Sequence, residues 1–250
     1  QGEARALFQA CGAQVLDLPA LVIGPPDRWE PLDKALEELD SFQWIIFSSA
    51  NGVRAIEARL KRLGKTLAGR PSHLKLAAVG MKTARELEGL GATADFVPPK
   101  YVADSLVEHF PFSSEDLRIL LPRVQSGGRT FLAQAFGDAG MRVVEVAAYE
   151  TSCPEKMPEE TAQAIEKGAV NAIAFTSGKT AVHTAQLLER RFGPNWGQII
   201  TEIKLISIGP QTSLSCRKYF GRVDQEAEPH DMEGLVTAFS EVIKLSSENT

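Results

Sequence analysis

A nine-residue segment occurs twice in this chain in nearly the same form, and this repeat limits the folds that the chain can adopt. F-S-S-A-N-G-V-R-A begins at Phe47, F-T-S-G-K-T-A-V-H begins at Phe175, 128 positions later, and each follows a short apolar run. Further segments match in the same order at offsets of 128 or 129, around Gly12 and Gly140, Lys75 and Lys204, and Ala103 and Met232. The alternative is that these segments match by chance, because strand–helix units of any α/β protein resemble one another. Four ordered matches favour an internal duplication.

Short apolar runs alternate with helical patterns along both halves. The runs are continuous and partly β-branched, which is typical of strands buried on both faces of a parallel sheet. We predict strands at residues 44–47, 76–79, 119–121, 172–175 and 205–208. We predict helices at 52–63, 83–90, 105–110, 130–139, 180–192, 212–219 and 234–243. The fold class is therefore α/β, with two similar parallel-sheet α/β domains related by internal duplication.

Pro-bearing extended segments occur at matching points of the two halves, at residues 18–26 and 143–154. We interpret them as strands that run side by side in a two-stranded β linker. The expected domains are residues 1–19 plus 155–250, which form one discontinuous domain, and residues 26–142. The linker strands are then 20–25 and 143–154. R-I-L-L-P-R precedes the first helix of the second half, so we expect an equivalent strand before Gln1.

Composition excludes several classes of protein. The net charge is −5 and no basic stripe is present, so we expect no nucleic-acid partner. No apolar run approaches the roughly 20 residues of a membrane span, and we expect a cytoplasmic protein without membrane contact. Four scattered histidines and three unrelated cysteines give no metal motif. We expect Cys11, Cys153 and Cys216 to be buried free thiols.

Four turns rich in small polar residues each follow a predicted strand and open a predicted helix. The N-terminus of a helix has unpaired amides and partial positive charge, so small residues there let an anion approach. Ligands of open parallel sheets bind beyond the carboxyl ends of the strands. Two such edges facing across a cleft would bind a ligand with several anionic groups. The candidate residues are Ser48, Ser49, Asn51, Gly80, Thr83, Thr176, Ser177, Gly178, Gly209 and Thr212.

Each of these turns also has a simpler interpretation, because Ser, Thr, Asn and Gly are ordinary N-caps and turn formers. S-G-K-T at Ser177 occurs in phosphate-binding P-loops, but the upstream glycine that the pattern requires is missing. We therefore reject nucleotide binding at this turn.

Two arginines and one tyrosine are further candidates. Arg123 and Arg129 flank a flexible Ser-Gly-Gly turn, and their guanidinium groups suit carboxylate binding, although both could simply be solvated. Tyr149 lies in the second extended segment, V-V-E-V-A-A-Y-E-T. Its phenol can donate or accept a proton, whereas the alternative is a packing tyrosine in the hinge.

Taken in order, the motifs resemble the uroporphyrinogen-III synthase family. They are F-S-S-A-N-G-V, A-V-G-M-K-T-A, L-P-R-x-x-x-G-G-R, V-x-x-Y-x-T, F-T-S-G-x-T, I-G-P-x-T and H-D-M-E-G-L-V. No single motif is specific, but the ordered set covers essentially the whole chain. The resemblance implies two α/β domains joined by a two-stranded linker. It also implies a lyase of tetrapyrrole biosynthesis, which closes hydroxymethylbilane to uroporphyrinogen III, inverting ring D and releasing water.

The resemblance implies roles and partners as well. Tyr149 falls on the family's linker tyrosine, the proposed general acid, while Thr83 and Thr212 fall on its binding turns. No metal or organic cofactor is expected. The expected partners are hydroxymethylbilane, which carries eight carboxylates, and, transiently, hydroxymethylbilane synthase; we expect a monomer. The competing hypothesis is a non-catalytic, two-lobed binding protein for a small polyanion, which turnover would distinguish.

Overall fold

The computed structural model describes residues 2–100, 103–111, 117–126 and 131–248 of the chain. Helices alternate with strands through most of this length. In chain order the elements are α1 (Gly2–Ala10), β1 (Val22–Gly24), α2 (Glu30–Glu37), β2 (Trp44–Phe47), α3 (Ala50–Arg62), β3 (Lys75–Ala78), α4 (Met81–Gly89), α5 (Ala103–His109), β4 (Arg118–Val124), α6 (Phe131–Asp138), β5 (Arg142–Ser152), α7 (Glu159–Glu166), β6 (Ala172–Phe175), α8 (Gly178–Phe192), α9 (Trp196–Ile199), β7 (Lys204–Ser207), α10 (Pro210–Phe220), β8 (Gln225–Glu226) and α11 (Met232–Glu248).

The chain divides into two compact units. Unit 1 consists of Gln1–Val22 and Ser152–Thr250, and unit 2 consists of Ile23–Thr151. Unit 1 is therefore discontinuous in sequence, because its first segment precedes unit 2 and the rest follows it.

Unit 2 is built on a five-stranded sheet with the order β1-β5-β4-β2-β3. β2 runs parallel to β3 and to β4, and β4 runs parallel to β5. All four residues of β2 are buried. Ile45 and Phe47 pack into a core with α2, α3 and α4, whereas Trp44 and Ile46 pack into a second core with α5 and α6. Helices thus cover both faces of the sheet, which explains why β2 is continuously apolar.

Unit 1 contains a three-stranded parallel sheet with the order β6-β7-β8. α1 joins this unit because Phe8 packs edge-on against Phe239 of α11, with 5.4 Å between the ring centroids. The segment that follows α1 is also attached here. The backbone carbonyl of Ala20 accepts a hydrogen bond from Nδ1 of the buried His183 in α8, at 2.6 Å.

Hydrogen bonds donated by backbone amides recur in both units at positions 128 or 129 residues apart. The amide of Leu76 donates to Asp95 Oδ2 at 2.8 Å, and the amide of Leu205 donates to Asp224 Oδ2 at 2.7 Å. Likewise, the amide of Val79 donates to the carbonyl of Phe47 and the amide of Ile208 donates to that of Phe175, both at 3.0 Å. In each unit an aspartate carboxylate therefore fixes the start of a buried strand.

The prediction of an α/β fold with parallel sheets is confirmed. β2 and β6 have the predicted bounds, whereas β4 extends three residues beyond the predicted run, because its last residues continue to pair with β5. α2, α7 and α9 were not among the predicted helices. α2 and α7 are short, and the pattern of each is obscured by a proline beside its first turn. α9 has only four residues.

The prediction of three buried thiols is correct only for Cys216. Cys11 is exposed and Cys153 is half-buried. Cys11 lies in the turn after α1, where the chain has left the apolar face of the helix, and its thiol donates to the carbonyl of Phe8 at 3.0 Å. Burial raises the pKa of the Cys216 thiol to about 11, so this thiol is neutral at physiological pH.

Candidate functional site

The turn after β2 places two serines at the carboxyl edge of the sheet in unit 2. Ser48 is exposed, whereas Ser49 is the N-cap of α3 and its Oγ accepts the amide of Gly52 at 3.1 Å. Asn51 lies within the first turn of α3, and its Oδ1 accepts from Nη2 of Arg54 at 2.7 Å. Ser48 is therefore open to a ligand, while the side chains of Ser49 and Asn51 already have partners.

The turn after β3 ends at Gly80, which is the N-cap of α4 and has an extended backbone. Since glycine has no side chain, nothing from the N-cap residue itself covers the first amides of α4. Thr83 is buried, and its amide donates to the carbonyl of Gly80 at 3.0 Å. The backbone of this turn is more accessible to an anion than the Thr83 hydroxyl.

Tyr149 reaches the same edge from β5 because the pairing of β4 with β5 changes register. Arg123 pairs with Ala147 but Val124 pairs with Tyr149, so one extra residue, Ala148, is inserted in β5. Such a bulge re-aims the side chains that follow it. The Tyr149 side chain is largely buried, with 8% of the residue exposed, and its phenol oxygen lies 2.9 Å from Ser49 Oγ.

A pocket of about 290 Å³ opens beside this pair of hydroxyls, within unit 2. Its polar lining includes Ser48, Arg123, Glu145 and Tyr149, and apolar residues such as Leu121 form much of the rest. Arg123 does not stand alone as a solvated cation, because its Nε donates to Glu145 Oε2 at 2.6 Å. The pocket therefore combines a phenol that can move a proton with an oriented guanidinium that can bind a carboxylate.

In unit 1, Ser177 is the N-cap of α8. Its Oγ accepts the amide of Thr180 and its amide donates to Thr180 Oγ1, both at 3.2 Å, which is a reciprocal capping box. Thr176, one residue earlier, is exposed. Gly178 lies in the first turn of α8, where an added Cβ would come within 2.5 Å of Ser215 Oγ. Gly178 thus allows α8 and α10 to approach closely.

The second turn of unit 1 ends at Gly209, the N-cap of α10, whose backbone is extended. The ring of His230 packs against Gly209, and an added Cβ would meet its Cγ at 3.3 Å. Thr212 is buried in α10, as Thr83 is in α4.

The structure brings only some of the candidates together. Ser48, Arg123 and Tyr149 line one pocket and Ser49 contacts Tyr149, whereas Arg129 lies outside the described residues. Sequence reasoning missed Glu145. Strand alternation could not have indicated it, because the inserted Ala148 breaks the two-residue period between Glu145 and Tyr149.

Within the described residues, no group of three or more His, Cys, Asp or Glu side chains could hold a metal ion. No helix in the same part of the chain is both long and apolar enough to cross a membrane.

A family model described as uroporphyrinogen-III synthase HemD matches residues 2–237. The chain belongs to the uroporphyrinogen-III synthase family. The uroporphyrinogen-III synthase of Synechococcus elongatus is 42% identical over 236 residues, which cover 94% of this chain and 89% of that protein. A putative uroporphyrinogen-III synthase of Methanothermobacter thermautotrophicus is 27% identical over 214 residues, which cover 84% and 82% of the two chains.

Solved structures of uroporphyrinogen-III synthases share the fold. The Helicobacter pylori synthetase superposes with a TM-score of 0.60 at 17% identity, covering 95% of this chain and 96% of that one. A mutant synthase from Thermus thermophilus gives 0.58 at 19% identity, covering 97% and 94%. The family resemblance predicted from the ordered motifs is confirmed, and the prediction of a cyclising enzyme is favoured over a non-catalytic binding protein.

Proposed function

We propose that this enzyme closes hydroxymethylbilane to uroporphyrinogen III, inverting ring D and releasing one water. The observation that carries this proposal is the Tyr149 phenol, which lies 2.9 Å from Ser49 Oγ and lines the same pocket as Arg123. A pocket with a proton donor and a carboxylate-binding group suits an acidic substrate that must lose a hydroxyl group.

In this proposal Tyr149 is the general acid. Its proton passes to the hydroxyl oxygen of the substrate, the bond between that oxygen and the methylene carbon breaks, and the electron pair of the pyrrole nitrogen stabilises the carbon that remains. General acid catalysis of this kind contributes about 10²–10⁴-fold. The larger task is positioning, because the substrate has to be held so that ring A reacts at the substituted carbon of ring D.

The carboxylates of the substrate are bound, in this proposal, by helix N-termini of both units. The exposed hydroxyls of Ser48 and Thr176, the amides after Gly80 and the amides after Pro210 are the donors. Each N-terminus carries partial positive charge. Local dipoles can therefore bind a polyanion although the net charge of the protein is −5.

We also infer that the two units arose by internal duplication and that residues 20–25 and 143–154 form the linker between domains 1–19 plus 155–250 and 26–142. The recurring bonds from Leu76 to Asp95 and from Leu205 to Asp224 support the duplication. The neighbouring positions of β1 and β5 in one sheet support the linker.

A coupled assay tests the function. Porphobilinogen and its deaminase generate hydroxymethylbilane in the presence of this protein, the products are oxidised, and the uroporphyrin isomers are separated by chromatography. We expect a shift from isomer I to isomer III, and heat-denatured protein is the control. If native protein binds hydroxymethylbilane yet leaves isomer I alone, the result would favour the non-catalytic hypothesis.

Two further proposals concern association. We propose that the protein is a monomer. We also propose a transient contact with hydroxymethylbilane synthase, because that enzyme releases the substrate that this one uses. Gel filtration alone, and then with hydroxymethylbilane synthase and porphobilinogen present, tests them; a stable dimer would contradict the first.

A further inference from the structure

We infer that Ser49 is a positioning residue for Tyr149. Its hydroxyl donates to the phenol oxygen, so the proton of Tyr149 faces the pocket, and the phenolate left after proton transfer keeps a donor. The catalytic consequence rests on the proposed function. The direction of the hydrogen bond is a property of the protein alone and can be measured without turnover.

The direction follows from what Ser49 already does. Its Oγ accepts the amide of Gly52 in the first turn of α3, at 3.1 Å, while the phenol oxygen of Tyr149 lies 2.9 Å away. A hydroxyl has one proton to give, and an oxygen that accepts from a helix N-terminal amide is a better donor, because hydrogen bonds in a chain polarise one another. The series of hydrogen bonds therefore runs from the Gly52 amide through the Ser49 hydroxyl to the Tyr149 phenol.

The backbone on the Tyr149 side is fixed. The carbonyl of Tyr149 accepts the amide of Gln125 at 2.8 Å, just beyond the register shift between β4 and β5. Its ring packs into the core that contains Phe47 and Ala148. Since both the backbone and the ring are held, the proton of the phenol is the part that the Ser49 hydroxyl can direct.

Unit 1 shows that helix capping alone does not explain this contact. Ser177, 128 positions after Ser49, caps α8 in the same way, through the amide of Thr180 at 3.2 Å. At the same offset the counterpart of Tyr149 is Leu21, which has no hydroxyl. The cap therefore occurs in both units, whereas the contact of the capping serine with a phenol belongs to unit 2. Ser177 is consequently a matched control for Ser49.

Tyr149 loses and regains one proton in each turnover. Tyr149 gives its proton to the hydroxyl oxygen of the substrate, and water leaves with that proton as the carbon–oxygen bond breaks. The phenolate is then stabilised by the Ser49 hydroxyl and by the positive end of α3. The methylene carbon of ring A then bonds to the substituted carbon of ring D, which gives a spiro intermediate. The bond from that carbon to the methylene of ring C breaks, this methylene bonds to the hydrogen-bearing α carbon of ring D, and the proton lost from that carbon returns to Tyr149.

Raman spectroscopy measures the direction of the bond. Two tyrosine ring bands form a doublet whose intensity ratio rises when the phenol oxygen accepts a hydrogen bond and falls when the phenol donates. The chain has three tyrosines, so the signal of Tyr149 is the difference between a protein and its Tyr149→Phe form. We expect Ser49→Ala to lower the Tyr149 ratio and Ser177→Ala to leave it unchanged. A higher or unchanged ratio in Ser49→Ala would overturn the inference.

Kinetics give the second readout. We expect Ser49→Ala to lower kcat about ten-fold, which corresponds to one hydrogen bond to a charged group, with little change in KM. Ser49→Thr, which keeps the hydroxyl, restores both kcat and the Raman ratio. Ser49→Gly replaces Ser49→Ala if the alanine protein does not fold, because glycine costs only a few tenths of a kcal/mol at an N-cap.

Different results would reject the proposed function and the role of Ser49. A wild-type protein that yields isomer I alone would reject the proposed function, and the Raman ratio would still decide the hydrogen bond. A wild-type protein that yields isomer III, with Ser49→Ala equally active, would reject the role of Ser49 and leave the function standing.

Discussion

Nε of Arg123 donates to Oε2 of Glu145 over 2.6 Å, from β4 to the neighbouring β5, at the wall of the pocket that Tyr149 also lines. A guanidinium has five N–H donors in one plane, and this contact occupies one of them. Glu145 thus fixes the plane of the group, and a ligand carboxylate can approach its other donors in bidentate geometry.

Arg123→Lys tests this arrangement. Lysine keeps the charge but loses the planar fork, so we expect KM for hydroxymethylbilane to rise about ten-fold with kcat nearly unchanged. Arg118→Lys is the control, since Arg118 lies at the opposite end of β4 and pairs with Glu38 at 2.9 Å. Steady-state formation of isomer III measures both. Equal KM values for the two variants would show that Arg123 does not bind the substrate.

Tyr149→Phe removes the proposed acid while keeping the ring that packs into the core. We expect kcat to fall about 10²–10⁴-fold and substrate affinity to change little. Tyr219→Phe, at an exposed tyrosine of α10, should keep full activity. Isomer III formation measures turnover, and tryptophan fluorescence measures binding. Undiminished turnover in Tyr149→Phe would exclude Tyr149 from the chemistry without excluding the synthase function.

Asp33 of α2 and Arg59 of α3 form a bidentate ion pair, with both nitrogen–oxygen distances at 2.5 Å. The hydrogen bonds from Arg59 lower the pKa of the Asp33 carboxyl. A carboxyl with a depressed folded-state pKa stabilises the fold above its unfolded value of about 3.9. That stability is lost as the pH falls through the folded-state value.

We therefore expect Asp33→Asn to lower Tm by about 2–4 °C at pH 7, with a difference from wild type that shrinks below about pH 4. Thermal unfolding followed by circular dichroism across this pH range is the measurement. Glu30→Gln is the control on the same helix, because its pair with Arg28 is 3.6 Å long and largely exposed. A deficit in Asp33→Asn that is the same at every pH would contradict the electrostatic explanation.

Gly234 in the first turn of α11 has no room for a side chain, since an added Cβ would lie 1.9 Å from the carbonyl oxygen of Pro229. Its amide donates to Asp231 Oδ1 at 2.8 Å. Gly234→Ala has to displace this backbone, and we expect a cost of about 1–3 kcal/mol in urea unfolding. Gly137→Ala, in α6 with open space around it, should instead stabilise by up to about 1 kcal/mol. Equal effects at the two glycines would contradict the packing argument.

The regular elements were largely predictable because they depend on local pattern. β2 and β6 are short apolar runs between turn residues, and their bounds followed from that. Helix starts were predicted late, since Ser49 and Ser177 are the N-caps and the residues after them, assigned to the turns, already belong to α3 and α8. Capping serines look the same as loop serines until their hydrogen bonds are known.

The candidate site was less predictable, because its decisive contacts join residues far apart in sequence. Ser49 and Tyr149 are 100 positions apart, and their meeting depends on the inserted residue Ala148. A bulge has no reliable sequence signal, so no pattern could indicate that a capping serine would reach this phenol. The ion pair of Arg123 with Glu145 likewise depends on the register of β4 against β5.

The division of unit 1 has a consequence for synthesis on the ribosome. All of unit 2 is translated before the second segment of unit 1, so unit 2 can complete its sheet first. α1 has to wait for α11, because the partner of Phe8 is Phe239, which is translated after all of unit 2. The apolar face of α1 is therefore exposed until α11 has been made, and during that interval the nascent chain offers a binding site for chaperones.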